Sequence, residues 1–286
     1  MTKSPKNRPP APNESESYRP AFEDVDFLAR ETLRPVRLQL ELLKAELVQQ
    51  EHNIHSTIAV FGGTKIVEPA AAAELVAAAE AAVREAPDDN KAASMLVRAQ
   101  RKFDDSKYYT EARHFAKLVS SSCQVDGLCE YVIVTGGGPG IMEAANRGAH
   151  DVAAKSIGLS IVLPFETEPN AYITPELCFQ FKYFAIRKMH FLMRAKALVV
   201  FPGGFGTMDE LFETLTLIQT QKMPRVPVLL FGRSFWTSIV NFDALVEHGT
   251  IDADDLKLFS FVETAQEAWD AISAFHAQVK FQMPEL

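Results

Sequence analysis

Two short apolar runs in this chain each break into a glycine-rich turn and then into a helical pattern. Residues 131–135 run into Gly136-Gly137-Gly138-Pro139-Gly140, and residues 197–201 run into Pro202-Gly203-Gly204-Phe205-Gly206. Buried strands read as short apolar runs, and glycine after a strand lets the backbone turn sharply into a helix. Further runs at 57–63, 157–163, 177–183 and 226–231 alternate with helical patterning at 70–82, 92–101, 107–120, 141–154, 184 onward, 208–221, 235–247 and 265–279. Strands and helices in alternation predict an α/β fold, a doubly wound Rossmann-like parallel sheet with helices on both faces.

Three regions are expected. Residues 1–20 hold five of the 16 prolines and read as a disordered tail. Residues 21–55 read as an N-terminal helical extension, with Pro35 at a helix start and Leu38, Leu42 and Leu47 as its apolar stripe. Residues 56–286 are expected to form the Rossmann-like domain.

Composition narrows the function. The 286 residues carry 29 basic and 37 acidic side chains, a formal net charge of −8, with no long basic block. That disfavours nucleic acid as a partner. No run of about 18 uncharged apolar residues occurs, so no membrane partner is expected. The polar, proline-rich start lacks a signal-like apolar stretch, and Cys123, Cys129 and Cys178 are too few and scattered for a disulfide framework. A cytoplasmic location is the expectation.

In a parallel sheet, ligands bind beyond the carboxyl ends of the strands. The two glycine loops sit there, each opening a helix whose free N–H groups attract an anion. Neither loop has the G-x-G-x-x-G spacing, and Gly62-Gly63-Thr64-Lys65 lacks the Walker spacing, so a smaller phosphorylated ligand fits better than a dinucleotide or nucleoside triphosphate. Thr207 and Glu210 stand three apart. They read either as a capping box or as a hydroxyl and a carboxylate one turn from bound phosphate. Asp209 suits the helix dipole. Arg187 and Lys188, at the start of the preceding helix, read as surface ion-pair partners or as phosphate ligands. His52 and His55 lack the cysteine or carboxylate company of a metal site. Phe179, Phe181, Phe184 and Phe191 read as core or subunit interface.

On these residues the chain resembles the Lonely Guy (LOG) family of nucleoside 5′-monophosphate phosphoribohydrolases, over roughly residues 57–250. Its P-G-G-x-G-T-x-x-E motif is matched by Pro202, Gly203, Gly204, Gly206, Thr207 and Glu210, its Arg-Lys pair by Arg187-Lys188, and its G-G-G-x-x-G-[IL]-M loop by residues 136–142. The resemblance implies hydrolysis of the N-glycosidic bond of AMP or a cytokinin riboside 5′-monophosphate, with Arg187 and Glu210 catalytic. It further implies nucleotide or phosphate binding by Gly136, Gly137, Gly138, Met142, Glu143, Lys188, Gly203, Gly204, Gly206 and Thr207. No cofactor or metal is required by that scheme. The turn Phe61-Gly62-Gly63-Thr64-Lys65 differs from the C-G-S-S form of short members and loosely resembles the F-G-S-A-R form of longer ones. Short members are dimers and longer ones can be hexamers, so a homodimer or homohexamer is implied. Nothing around Lys188 resembles the Schiff-base setting that a pyridoxal-phosphate decarboxylase needs. A non-catalytic nucleotide sensor on the same scaffold is the alternative.

Overall fold

The computed structural model describes residues 11–124, 129–164 and 168–282. The first ten residues of the expected tail, and the glycine-containing turn between Cys123 and Cys129, lie outside them. The chain divides into two compact units, residues 1–44 and 45–286.

In the first unit, single 3-10 turns at Pro12–Glu14 and Glu16–Tyr18 precede a one-turn helix, α1 (Val25–Ala29), followed by a third such turn at Glu31–Leu33. Asp24 caps α1 by accepting from the Phe27 amide at 2.9 Å. A longer helix, α2 (Arg34–Glu51), begins here and ends in the second unit. Its inward stripe differs from the expected one. Leu38 and Leu42 are half-buried, but the stripe continues through Ala45 and Gln49, and Leu47 is exposed. The positions 38, 42, 45 and 49 keep the helical spacing that 47 breaks. Glu46 fixes this rotation through a bidentate pair with Arg194 at 2.5 and 2.6 Å.

The second unit holds seven strands: β1 (Thr57–Phe61), β2 (Val132–Thr135), β3 (Ser156–Ile161), β4 (Cys178–Phe181), β5 (Ala195–Val200), β6 (Val228–Phe231) and β7 (Ser260–Val262). They form one sheet in the order β4-β3-β2-β1-β5-β6-β7, every pair parallel. From β1 the chain builds outward to β4, then returns to the other side of β1. The switch point therefore lies between β1 and β5. The three-residue edge strand β7 had no separate sequence signal.

The helices of this unit are α3 (Pro69–Glu85), α4 (Asn90–Asp105), α5 (Lys107–Cys123), α6 (Ile141–His150), α7 (Phe184–Met193), α8 (Phe205–Gln219), α9 (Arg233–Ile239), α10 (Phe242–Glu247) and α11 (Ala265–Gln282). Where one helix is expected over 235–247, Val240 is extended and Asn241 caps a new helix by accepting from the Ala244 amide at 3.1 Å. α6 stops at His150, four residues before its expected end, because Ala153 adopts a φ of 55°.

Alternate strand residues feed opposite faces of the sheet. Ile58, Val60, Ile133, Val199 and Phe231 join residues of α5, α6 and α11 in one buried cluster. Phe61 points to the other face, where its ring meets Phe191 of α7 edge-on at 4.8 Å. Both faces are thus covered, which is why the central strands read as unbroken apolar runs, whereas residues 177–183 alternate and β4 at the sheet edge buries Phe179 and Phe181 while exposing Gln180. Of the phenylalanines expected in the core or at an interface, Phe179, Phe181 and Phe191 are buried, and Phe184 is half exposed.

Candidate active site

The turns after β1, β2 and β5 meet at the switch point and are tied by their own backbones. The Gly63 amide donates to Pro202 O at 2.8 Å, and the Ile141 amide donates to Gly63 O at 3.2 Å. Close approach explains the glycines. A Cβ on Gly140, whose φ is +74°, would lie 2.3 Å from Gly63 O, and one on Gly62 would lie 2.6 Å from the Ile141 side chain.

A cavity of about 340 Å³ opens between these turns. Gly62, Gly63 and Thr64 line it from β1, Gly136 and Met142 from β2, and Gly204, Gly206, Thr207 and Glu210 from α8, while Arg187 and Phe191 reach in from α7. A larger groove of about 770 Å³ lies at the other end of β5, around Ala195 and Lys196. It contains none of the glycine turns, so the chemistry is assigned to the smaller cavity.

α8 starts earlier than the capping-box reading requires. Its N-cap is Gly204, so Thr207 lies inside the first turn and Glu210 almost two turns in. Thr207 is instead folded under Gly203, where a Cβ would lie 2.2 Å from the Thr207 hydroxyl oxygen. Met208 N closes the first turn on Gly204 O at 3.0 Å, and the amides of Phe205, Gly206 and Thr207 are the ones that helix geometry leaves without an intrahelical acceptor. Together with the macrodipole they make the floor of the cavity attractive to an anion. A Cβ on Gly204 or Gly206 would meet nothing within 4 Å. Folding alone does not demand glycine at either position, whereas a ligand lying against the backbone does.

Glu210 is 5% exposed, and its Oε1 lies 3.7 Å from Arg187 Nη2. Burial pushes its carboxyl up to about 7, opposed by the nearby charges of Arg187 and Lys188. Burial also lowers the Arg187 pKa, with Glu210 and Asp209 acting against it. The Arg187 guanidinium sits 4.9 Å from the centre of the Phe184 ring and 5.6 Å from that of Phe191. Among the described residues its buried Nε has no hydrogen-bond partner. An arginine held between two rings, with donors left over, is prepared to take an acceptor from a ligand.

Other expected site residues are placed differently. Lys188 Nζ pairs with Asp209 at 2.8 Å and Glu213 at 3.1 Å. Glu143 accepts from the Tyr109 hydroxyl at 2.8 Å, behind the first glycine loop, and burial pushes that phenol up to about 12. Gly137, Gly138 and Gly203 shape the loops without lining the cavity. Phe205, on the rim, is 94% exposed and was not singled out from sequence.

The fold and the site define a parallel α/β protein with a glycine-walled, anion-attracting cleft that holds a buried carboxylate–arginine pair. Comparison with known proteins shows what the chain is similar to. Residues 142–272 match the family described as "Possible lysine decarboxylase". That stretch takes in Arg187, Lys188 and the whole 202–210 motif. The resemblance to the LOG family stands on curated relatives as well. The chain is 25% identical over 152 residues to a probable cytokinin riboside 5′-monophosphate phosphoribohydrolase, LOGL3, of Oryza sativa, covering 50% of this chain and 68% of that protein. It is 28% identical over 140 residues to the enzyme of that name LOG4 of Arabidopsis thaliana, covering 48% of this chain and 63% of that one. Among solved structures, TM1055 overlaps 77% of this chain and 99% of its own at a TM-score of 0.45 and 17% identity. The Moco carrier protein of Chlamydomonas reinhardtii overlaps 78% and 98% at a TM-score of 0.44 and 18% identity. No helix among the described residues is long and apolar enough to cross a membrane.

Proposed function

We propose that this chain is a phosphoribohydrolase that cleaves the N-glycosidic bond of a nucleoside 5′-monophosphate, AMP or a cytokinin riboside 5′-monophosphate, releasing free base and ribose 5-phosphate. The observation that carries the reading is the buried Arg187–Glu210 pair beside the open N-terminus of α8. The named activity of the plant relatives supports it.

In this reading the phosphate lies on the amides of Phe205, Gly206 and Thr207, with the Thr207 hydroxyl beside it. Gly204 and Gly206 leave it room. Cleavage passes through a cation-like sugar, and the ionised Glu210 carboxylate stabilises that charge or orients the attacking water. Arg187 clamps the substrate so that the anomeric carbon stays near Glu210. The first glycine loop, with Met142, borders the ribose and base, while Lys188 holds Asp209 and Glu213. The protein acts in the cytoplasm as a homo-oligomer. A second copy fits the exposed apolar flank of the cleft formed by Phe184 on α7 and Phe205 on α8.

The direct test is incubation of pure protein with AMP, GMP, CMP and a cytokinin riboside 5′-monophosphate, with free base read by chromatography. Free base from wild type and none from Glu210→Gln supports the assignment. Saturable nucleotide binding with no base released would replace it with a nucleotide sensor on the same scaffold.

A further inference from the structure

We propose that Thr135, Asn146 and Asn170 form a hydrogen-bonded clamp that holds the first glycine loop in its ligand-accepting shape, with Asn146 as the hub. The proposal rests on the reading of this cleft as a nucleotide site and adds three positioning residues to it.

The loop is held through three hydrogen bonds by two residues, Thr135 and Asn170. The Gly137 amide donates to Thr135 Oγ1 at 3.0 Å, the Gly137 carbonyl accepts from the Asn170 amide at 2.8 Å, and the Gly138 carbonyl accepts from Asn170 Nδ2 at 3.1 Å. Gly137 has a φ of +76°, which glycine adopts without strain but does not by itself fix, so the neighbouring hydrogen bonds select it. Both holding residues then converge on one atom. Thr135 Oγ1 donates to Asn146 Oδ1 at 2.7 Å, and Asn170 Nδ2 donates to the same oxygen at 3.0 Å. Asn146 Nδ2 completes the set, donating to Ser156 Oγ at 3.1 Å and to Ile157 O at 3.4 Å.

Asn146 thereby fills all four of its hydrogen-bonding positions while fully buried. It stands in α6, the helix that the loop itself opens, among the buried Ala144, Ala145 and Ala149. Packing alone would be met there by an apolar side chain without the cost of desolvating an amide. A buried polar network with every member satisfied instead specifies a single arrangement. What it specifies is the path of residues 137–138, between Gly136 and Met142, which line the cleft. Preorganisation of this kind shows in ligand affinity.

Thr135→Val removes the hydroxyl at nearly constant volume, and Asn170→Ala removes the side-chain bonds to Gly138 and Asn146 at a half-buried position, leaving the Asn170 backbone amide on Gly137. Both are expected to fold, Thr135→Val with a melting temperature lowered by a few degrees because the buried Gly137 amide loses its acceptor. Each is expected to weaken AMP binding, measured by calorimetry, and to raise KM by roughly tenfold, with kcat changed less than about threefold. Thr135→Ser, which keeps the hydroxyl, is expected to restore wild-type affinity. The double variant is expected to lose less than the product of the two single losses, because both act on the same loop. Folded Thr135→Val and Asn170→Ala proteins with wild-type AMP affinity and KM would overturn the clamp. Wild type that binds AMP without releasing base would overturn the hydrolase reading alone, leaving the affinities to decide the clamp. Wild type that binds no AMP would overturn both.

Discussion

Arg187 Nη2 lies 3.7 Å from Glu210 Oε1, and neither side chain is open to water, with side-chain exposures of 15% and 6%. At that separation the arginine partly offsets the burial of the carboxylate without neutralising it. The carboxyl is left poised at about 7, where it changes charge within the working range of a general base.

The first consequence concerns stability. The folded-state pKa of Glu210 is raised, so folding is most favoured while the group is protonated in both states. Stability declines as pH climbs from about 4.5, where the unfolded chain ionises, through about 7, where the folded one does. Glu210→Gln is expected to be more stable than wild type at pH 8, by on the order of 2–3 kcal/mol, with the gap closing toward pH 4.5. Denaturant unfolding of both proteins at the two pH values measures this, and a pH-independent gap would contradict the buried ionisation.

Catalysis should follow the same group. If Glu210 works as a carboxylate, kcat/KM rises through an apparent pKa near 7. Lys188 contributes a positive charge that lowers that pKa, so Lys188→Met is expected to move the limb to higher pH. The ionisation of the substrate phosphate is common to both enzymes and drops out of the comparison. A limb that stays in place would remove Glu210 as its origin.

Gly206 separates folding from function. Among the described residues, a methyl group there meets no atom within 4 Å beyond its own helix backbone and chain neighbours, and alanine in a helix is favoured over glycine by about 1 kcal/mol. Gly206→Ala is expected to melt at or above the wild-type temperature while losing at least about tenfold in kcat/KM, because the methyl intrudes where the phosphate would lie. Thermal melts and initial rates on one preparation decide it.

Gly140 should behave in the opposite way. Its positive φ and the 2.3 Å approach of a Cβ to Gly63 O leave no room for a side chain. Gly140→Ala is expected to cost about 3 kcal/mol or more in unfolding free energy, since the obstacle is backbone rather than a flexible side chain. Unaltered stability by denaturant titration would mean that the β1 and β2 turns are less tightly joined than described.

Much of this was readable in the residues. The parallel sheet follows from apolar runs ending in glycine, and both glycine loops lie at the cleft. The state of Glu210 was not readable, because three-residue spacing from Thr207 mimics a capping box. Only the position of Gly204 as the cap moves Thr207 into the helix and frees Glu210 for Arg187. The partners of Lys188 and Glu143 were hidden for another reason. Asp209 and Tyr109 lie 21 and 34 residues away in sequence, and no local pattern announces contacts at that range. Leu47 misled by its chemistry, since Gln49 takes the inward position that a leucine would be expected to hold.

The joint between Gly63, Pro202 and Ile141 is made of amide hydrogens and carbonyl oxygens alone. Neither bond uses the side chain of Pro202 or Ile141, so the hydrogen-bonded skeleton of the cleft is insulated from drift at those two positions. Thr64, Met142 and Phe205, which line the cleft through their side chains, can be exchanged to suit another base or sugar of the proposed substrate while that frame stays put. An architecture that divides inheritance in this way can diversify its ligands without relearning how to fold.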